Sequence, residues 1–102
     1  MEDISKENWK MLVNETDNAV VIDVRTPAEC LEGIQPNAIQ IDFLSLGDFL
    51  SAVNILDKSK TYFLYCRSGH RSGQACQYMS KNGFKTYNLI GGMLSWDGDI
   101  VH

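Results

Sequence analysis

The chain has 102 residues, 44% hydrophobic and 22% charged, with a formal net charge of −4. One domain is expected over residues 1–102, with a core that removes roughly 65% of the unfolded chain's surface from water. The composition excludes a disordered chain, and the acidity excludes a basic stripe for nucleic acid. Apolar runs reach about five residues, far short of the roughly 20 of a membrane span.

The first residues, Met1-Glu2-Asp3-Ile4-Ser5, lack the basic and apolar regions of an export signal, so a cytoplasmic location is expected. Ser5 can cap a helix that carries Trp9, Leu12 and Val13 on one face. Ala19 to Val24 is a β-branched, nearly continuous apolar run, the pattern of a strand covered on both faces. Thr26-Pro27-Ala28-Glu29 is a capping box with proline at the first helical position, so a helix begins just after Arg25. Ala38 to Ile41 is a shorter strand candidate. Leu46 to Leu56 has helical spacing through Leu46, Phe49, Leu50 and Val53.

Thr61 to Tyr65 is a second strong strand and ends at Cys66. Arg71 to Asn82 places Ala75, Tyr78 and Met79 on one side of a helix that Gly83 stops. Thr86 to Ile90 is a further strand, and Gly91-Gly92 opens a short turn or helix holding Leu94 and Trp96. Strands alternating with helices predict an α/β domain with a mostly parallel sheet. Ligands of such sheets bind outside the carboxyl ends of the strands. Cys66 lies at one such end and Asp23-Val24-Arg25 at another.

Cys30, Cys66 and Cys76 are odd in number and point to reduced thiols rather than a disulfide framework. With His70 and His102 they form no closely spaced ligand pair, so neither a metal nor another cofactor is expected. The chemistry concentrates in Cys66-Arg67-Ser68-Gly69-His70-Arg71-Ser72. A thiol acts as a nucleophile when ionised. The start of the following helix, a glycine-containing nest of backbone amides, Arg67 and Arg71 all favour that anion. The competing reading is an inert buried cysteine before a solvated turn. The strand-end position and the flanking arginines favour a reactive thiol.

Other residues carry weaker signals. Arg25 and Glu29 read as an ion pair that fixes the turn after its strand, with anion binding as the alternative. Asp23 is an acid–base candidate. Cys76, in mid-helix, reads as core filler, and Cys30 as a resolving thiol only if the fold brings it to Cys66. His70 is placed at the crown of the loop, tuning access.

The Cys66–Ser72 segment resembles the active-site loop of rhodanese-family sulfurtransferases, which commonly reads Cys-Arg-Ser-Gly-x-Arg-Ser. Asp23-Val24-Arg25 with Glu29 downstream, and Gly91-Gly92 followed by Trp96, resemble two further marks of the family in the same order. The resemblance implies a five-stranded, mostly parallel sheet flanked by helices on both faces. It implies a thiosulfate sulfurtransferase in which Cys66 carries a persulfide between a small sulfur donor and a small acceptor, with an acceptor protein as a further option. Arg67 and Arg71 would hold the donor's oxygens, six successive N–H groups from Arg67 to Ser72 would surround the sulfur, and Asp23 would brace neighbouring loops. Gly33-Ile34-Gln35-Pro36-Asn37-Ala38 departs from the family's Gly-His-Ile-Pro-Gly-Ala, with Asn37 able to take the glycine's left-handed conformation. Two other functions stay open: a non-enzymatic persulfide carrier or binding module, and a phosphatase or arsenate reductase. Against the latter, only four residues, Arg67 to His70, separate Cys66 from Arg71. Tyrosine-phosphatase-like loops have one more.

Overall fold

Alternating side-chain direction along the central strands organises the molecule. The computed structural model describes residues 1–102. Its elements in chain order are β1 (Glu2–Ile4), α1 (Lys6–Glu15), β2 (Ala19–Asp23), α2 (Pro27–Cys30), β3 (Ile39–Gln40), α3 (Leu46–Asn54), β4 (Thr61–Tyr65), α4 (His70–Lys81) and β5 (Lys85–Leu89), followed by a 3-10 turn at Gly92–Leu94. The five strands form one sheet in the order β1-β5-β4-β2-β3, and every pairing is parallel.

All five residues of β4 are buried, as a strand covered on both faces requires. Tyr62, Leu64 and Cys66 join Ile22 and Val24 in a cluster with Phe49 and Val53 of α3 and Ala75, Cys76 and Met79 of α4. Phe63 and Tyr65 point the other way, to Val21, Leu89, Ile4 and Trp9 of α1. Trp9 meets Phe63 and Tyr65 edge-on, with ring centroids 5.5 and 6.1 Å away. Full burial of each large apolar side chain contributes about 1.5–3 kcal/mol.

The expected helix starts are present. The Ser5 side chain accepts the Asn8 N–H, and Thr26 and Glu29 form the reciprocal capping box with Pro27 in the first turn. Asn37 takes φ +65°, the left-handed conformation anticipated from its place in the turn. Some boundaries differ: β3 has only two residues, and α3 ends at Asn54 rather than Leu56. α4 starts at His70, one residue earlier than expected, and β5 runs Lys85–Leu89 rather than Thr86–Ile90. β1 has no counterpart in the sequence reading, because Ile4 is its only buried residue and leaves no periodicity. No helix is long and apolar enough to cross a membrane.

At the carboxyl end of β2 the buried Asp23 carboxylate receives the Arg25 guanidinium through Nη2 at 2.7 Å and Nε at 3.0 Å. Arg25 Nη2 also donates to the Gly33 carbonyl at 2.7 Å, tying the chain after α2 to the strand end. Removing one partner of such a pair strands a buried charge. Arg25→Leu should therefore cost about 3–5 kcal/mol of stability, read as a lower urea midpoint with an unchanged slope.

Candidate active site

Cys66 continues the alternation of β4 by one residue, which turns its side chain toward α4 while its main chain leaves the sheet. Two hydrogen bonds anchor that departure. The Met93 N–H donates to the Cys66 carbonyl and the Leu94 N–H to the Arg67 carbonyl, both at 3.0 Å. Gly92 permits this approach, since a Cβ there would sit 2.6 Å from the Arg67 carbonyl oxygen. Gly69 then adopts φ +102°, caps α4 and turns its N–H onto Cys66 Sγ at 3.1 Å. A side chain at that φ would be strained.

The thiol is 1% exposed, and burial alone would keep it neutral. Burial is opposed by backbone N–H groups at Ser72, Gly69 and Ser68, and the balance holds Cys66 below the ordinary cysteine value. The start of α4 adds partial positive charge from the same side. The expected ring of six N–H donors is contracted: only that of Gly69 reaches hydrogen-bond geometry with the sulfur.

The other two cysteines show the opposite tendency. Burial and the nearby Asp23 carboxylate push Cys30 up to about 11, and burial pushes Cys76 up to about 12. Cys76 lies in the core, as its mid-helix position suggested.

The charged residues pair differently from the sequence reading. Arg25 is paired with Asp23 and not with Glu29. Glu29 instead receives both ends of the Arg71 guanidinium, at 2.7 and 2.8 Å. Arg71 therefore braces α4 against the α2 capping box while lying close enough to Cys66 to feel its charge. Asp23 is occupied by Arg25 and is placed as a brace at the strand end. Arg67 is exposed, has no carboxylate partner, and borders a groove of about 300 Å³ with Glu29, Glu32, Met93 and Leu94. His70 begins α4 and faces a separate groove lined also by Asp3, Gly73 and Asn88.

One residue of the site escaped the sequence reading. Asn88, 5% exposed in β5, accepts the Ser72 hydroxyl at 2.5 Å and donates to the Gly69 carbonyl at 3.1 Å. The signal was an asparagine inside a strand, a position where that residue is depleted unless its amide has partners.

The same chain pattern occurs in known proteins. The profile of the rhodanese-like domain matches residues 5–99. YtwF of Bacillus subtilis, provisionally named a sulfurtransferase, is 38% identical over 99 residues, which are 97% of this chain and 93% of that protein. A protein of Allochromatium vinosum named a sulfurtransferase is 33% identical over 97 residues, covering 94% of this chain and 88% of its own. A crystal structure from Staphylococcus saprophyticus superposes with a TM-score of 0.84 at 33% identity, covering 100% of both chains.

The spread of thiol acidities predicts the order of modification. Brief alkylation at neutral pH should label Cys66 ahead of Cys30 and Cys76, as peptide mapping would show. A first label on Cys30 would contradict the arrangement of the loop. The Glu29–Arg71 pair predicts a pH dependence. Arg71 holds the Glu29 carboxyl down at about 2, so the pair supports the fold at neutral pH and is lost as pH falls through that value. The stability gap between the parent and Glu29→Gln should be constant at neutral pH, shrink below about pH 4 and close near 2. Both side chains are partly solvated, so the gap is small.

Proposed function

This chain belongs to the rhodanese-like domain family, and from that premise we propose that it is a sulfurtransferase carrying sulfane sulfur as a persulfide on Cys66. The observation that carries the reading is the Gly69 N–H turned on a buried sulfur at the start of a helix, which favours an anion there. Thiosulfate is the proposed donor. The Cys66 thiolate attacks its outer sulfur, the Sγ–S bond forms, the S–S bond of thiosulfate breaks, and sulfite leaves with the electron pair. A thiophilic acceptor such as cyanide then takes the terminal sulfur as thiocyanate and returns the thiolate. Both reactants of the first step are anionic, so the step needs local positive potential. Amide N–H groups and the helix start supply it at the sulfur, and Arg67 supplies it at the groove.

Two observations weigh against a phosphate-ester or arsenate chemistry. Only four residues lie between Cys66 and Arg71, and both ends of the Arg71 guanidinium are committed to the Glu29 carboxylate. A tetrahedral oxyanion would have to compete with Glu29 for that arginine. Slow turnover with small acceptors, despite a stable persulfide, would instead indicate a carrier that hands its sulfur to a protein.

Incubation with thiosulfate should add the mass of one sulfur atom, removable by cyanide. Cys66→Ser should abolish both the adduct and turnover, whereas Cys30→Ser should retain both. Arg67→Ala should weaken thiosulfate use at least tenfold, on the scale of one charge-assisted contact of about 1.5–3 kcal/mol. An adduct that persists in Cys66→Ser would sink the reading.

A further inference from the structure

The Ser72 hydroxyl stands between two acceptors and has one proton. Its Oγ lies 3.3 Å from Cys66 Sγ and 2.5 Å from Asn88 Oδ1. A hydroxyl donates to one of them at a time. The orientation of Asn88 decides the matter. Its Nδ2 donates to the Asp3 carboxylate at 2.8 Å and to the Gly69 carbonyl at 3.1 Å, and both of these partners only accept. Reversing the amide would set its oxygen against a carboxylate and a carbonyl. The amide oxygen is therefore fixed toward Ser72, and two oxygens 2.5 Å apart require a proton between them. Asn88 has none to give there, so the proton is that of Ser72.

We propose that Asn88 is a positioning residue of the sulfur transfer, acting through Ser72: it holds the hydroxyl proton, so that Ser72 turns an acceptor rather than a donor toward Cys66. This rests on Cys66 being the sulfur carrier. With the thiol protonated, S–H donates to Ser72, Ser72 to Asn88, and Asn88 to Asp3, an ordered chain in which each donor has its acceptor. Ionisation breaks that order. Either the thiolate faces a lone pair of Ser72, or the hydroxyl swings to the sulfur and deprives a buried amide oxygen of its donor. Both courses oppose the free thiolate, which is left to the backbone N–H groups. In the persulfide the charge sits on the outer sulfur, farther from Ser72, so the penalty is lighter. The Asn88–Ser72 pair thus biases Cys66 toward the sulfur-loaded state.

The ionisable groups facing Cys66 are Arg71 of α4 with its Glu29 partner from α2, Cys76 of α4, and Asp3 of β1 behind Asn88. Arg67 and His70 flank it in the loop. The test leaves all of these in place. Ultraviolet absorbance of the thiolate followed against pH below the tyrosine range isolates Cys66, because burial pushes Cys30 and Cys76 up to about 11 and about 12. Asn88→Leu should free the hydroxyl for the sulfur and lower the midpoint by roughly half a unit to one unit, the scale of one hydrogen bond to a charged group. Ser72→Ala alone removes the acceptor facing the sulfur and should lower the midpoint, whereas in the Asn88→Leu background it should raise the midpoint again. A purely structural Asn88 would not make the Ser72 effect depend on it. A rise in Ser72→Ala alone comparable to that in the Asn88→Leu background would overturn the proposal. If Asn88→Leu does not fold, Ser72→Ala still decides between the two. Thiosulfate loading of the parent is measured beside the titration: failure to load counts against the function, whereas loading with the wrong Ser72 shift counts against the positioning role alone.

Discussion

An anionic sulfur at the end of a core strand needs N–H groups within reach, and the Gly69 N–H to Cys66 Sγ contact meets that need. The contact depends on three separate conditions. β4 must deliver Cys66 on the α4 side, Gly69 must take a left-handed turn, and the chain around Gly92 must grip the carbonyls of Cys66 and Arg67 so that the loop cannot straighten. Each is set by a different part of the sequence. The strand supplies direction, one glycine supplies curvature, and a second, 23 positions later, supplies the grip.

The charges around this centre form a frame with one opening. Asp23 with Arg25 and Glu29 with Arg71 are closed pairs, the first buried and the second partly solvated. They lock the ends of β2, α2 and α4 to one another without leaving net charge in the protein. Arg67 alone remains uncommitted among them, so the anionic donor proposed above would meet a single directed cation rather than a broad positive field. This economy suits a chain whose overall charge is negative and which would otherwise repel such a reactant.

Much of this was legible in the chain. The apolar alternation from Thr61 to Tyr65 and the capping box at Thr26–Glu29 follow from local chemistry, and both elements stand where that chemistry puts them. The catalytic candidate was legible because strand, thiol, glycine and helix start are contiguous. The Glu29–Arg71 pair was not, since its members lie 42 positions apart and Glu29 has a nearer neighbour of opposite charge in Arg25. Asn88 was missed for a related reason: its partners Asp3, Gly69 and Ser72 come together only when β1 and α4 flank β5. β1 itself was invisible, because three residues with one buried side chain carry no period.

The brevity of the two outer strands has a consequence for how the domain behaves in company. β1 offers three residues and β3 only two at the margins of a fully parallel sheet. An unpaired margin is where a foreign strand can dock and nucleate intermolecular stacking, and such growth needs a long, flat row of free amides. Here neither rim provides one. The domain can therefore be crowded, or joined in tandem to others of its kind, with little tendency to polymerise through its sheet.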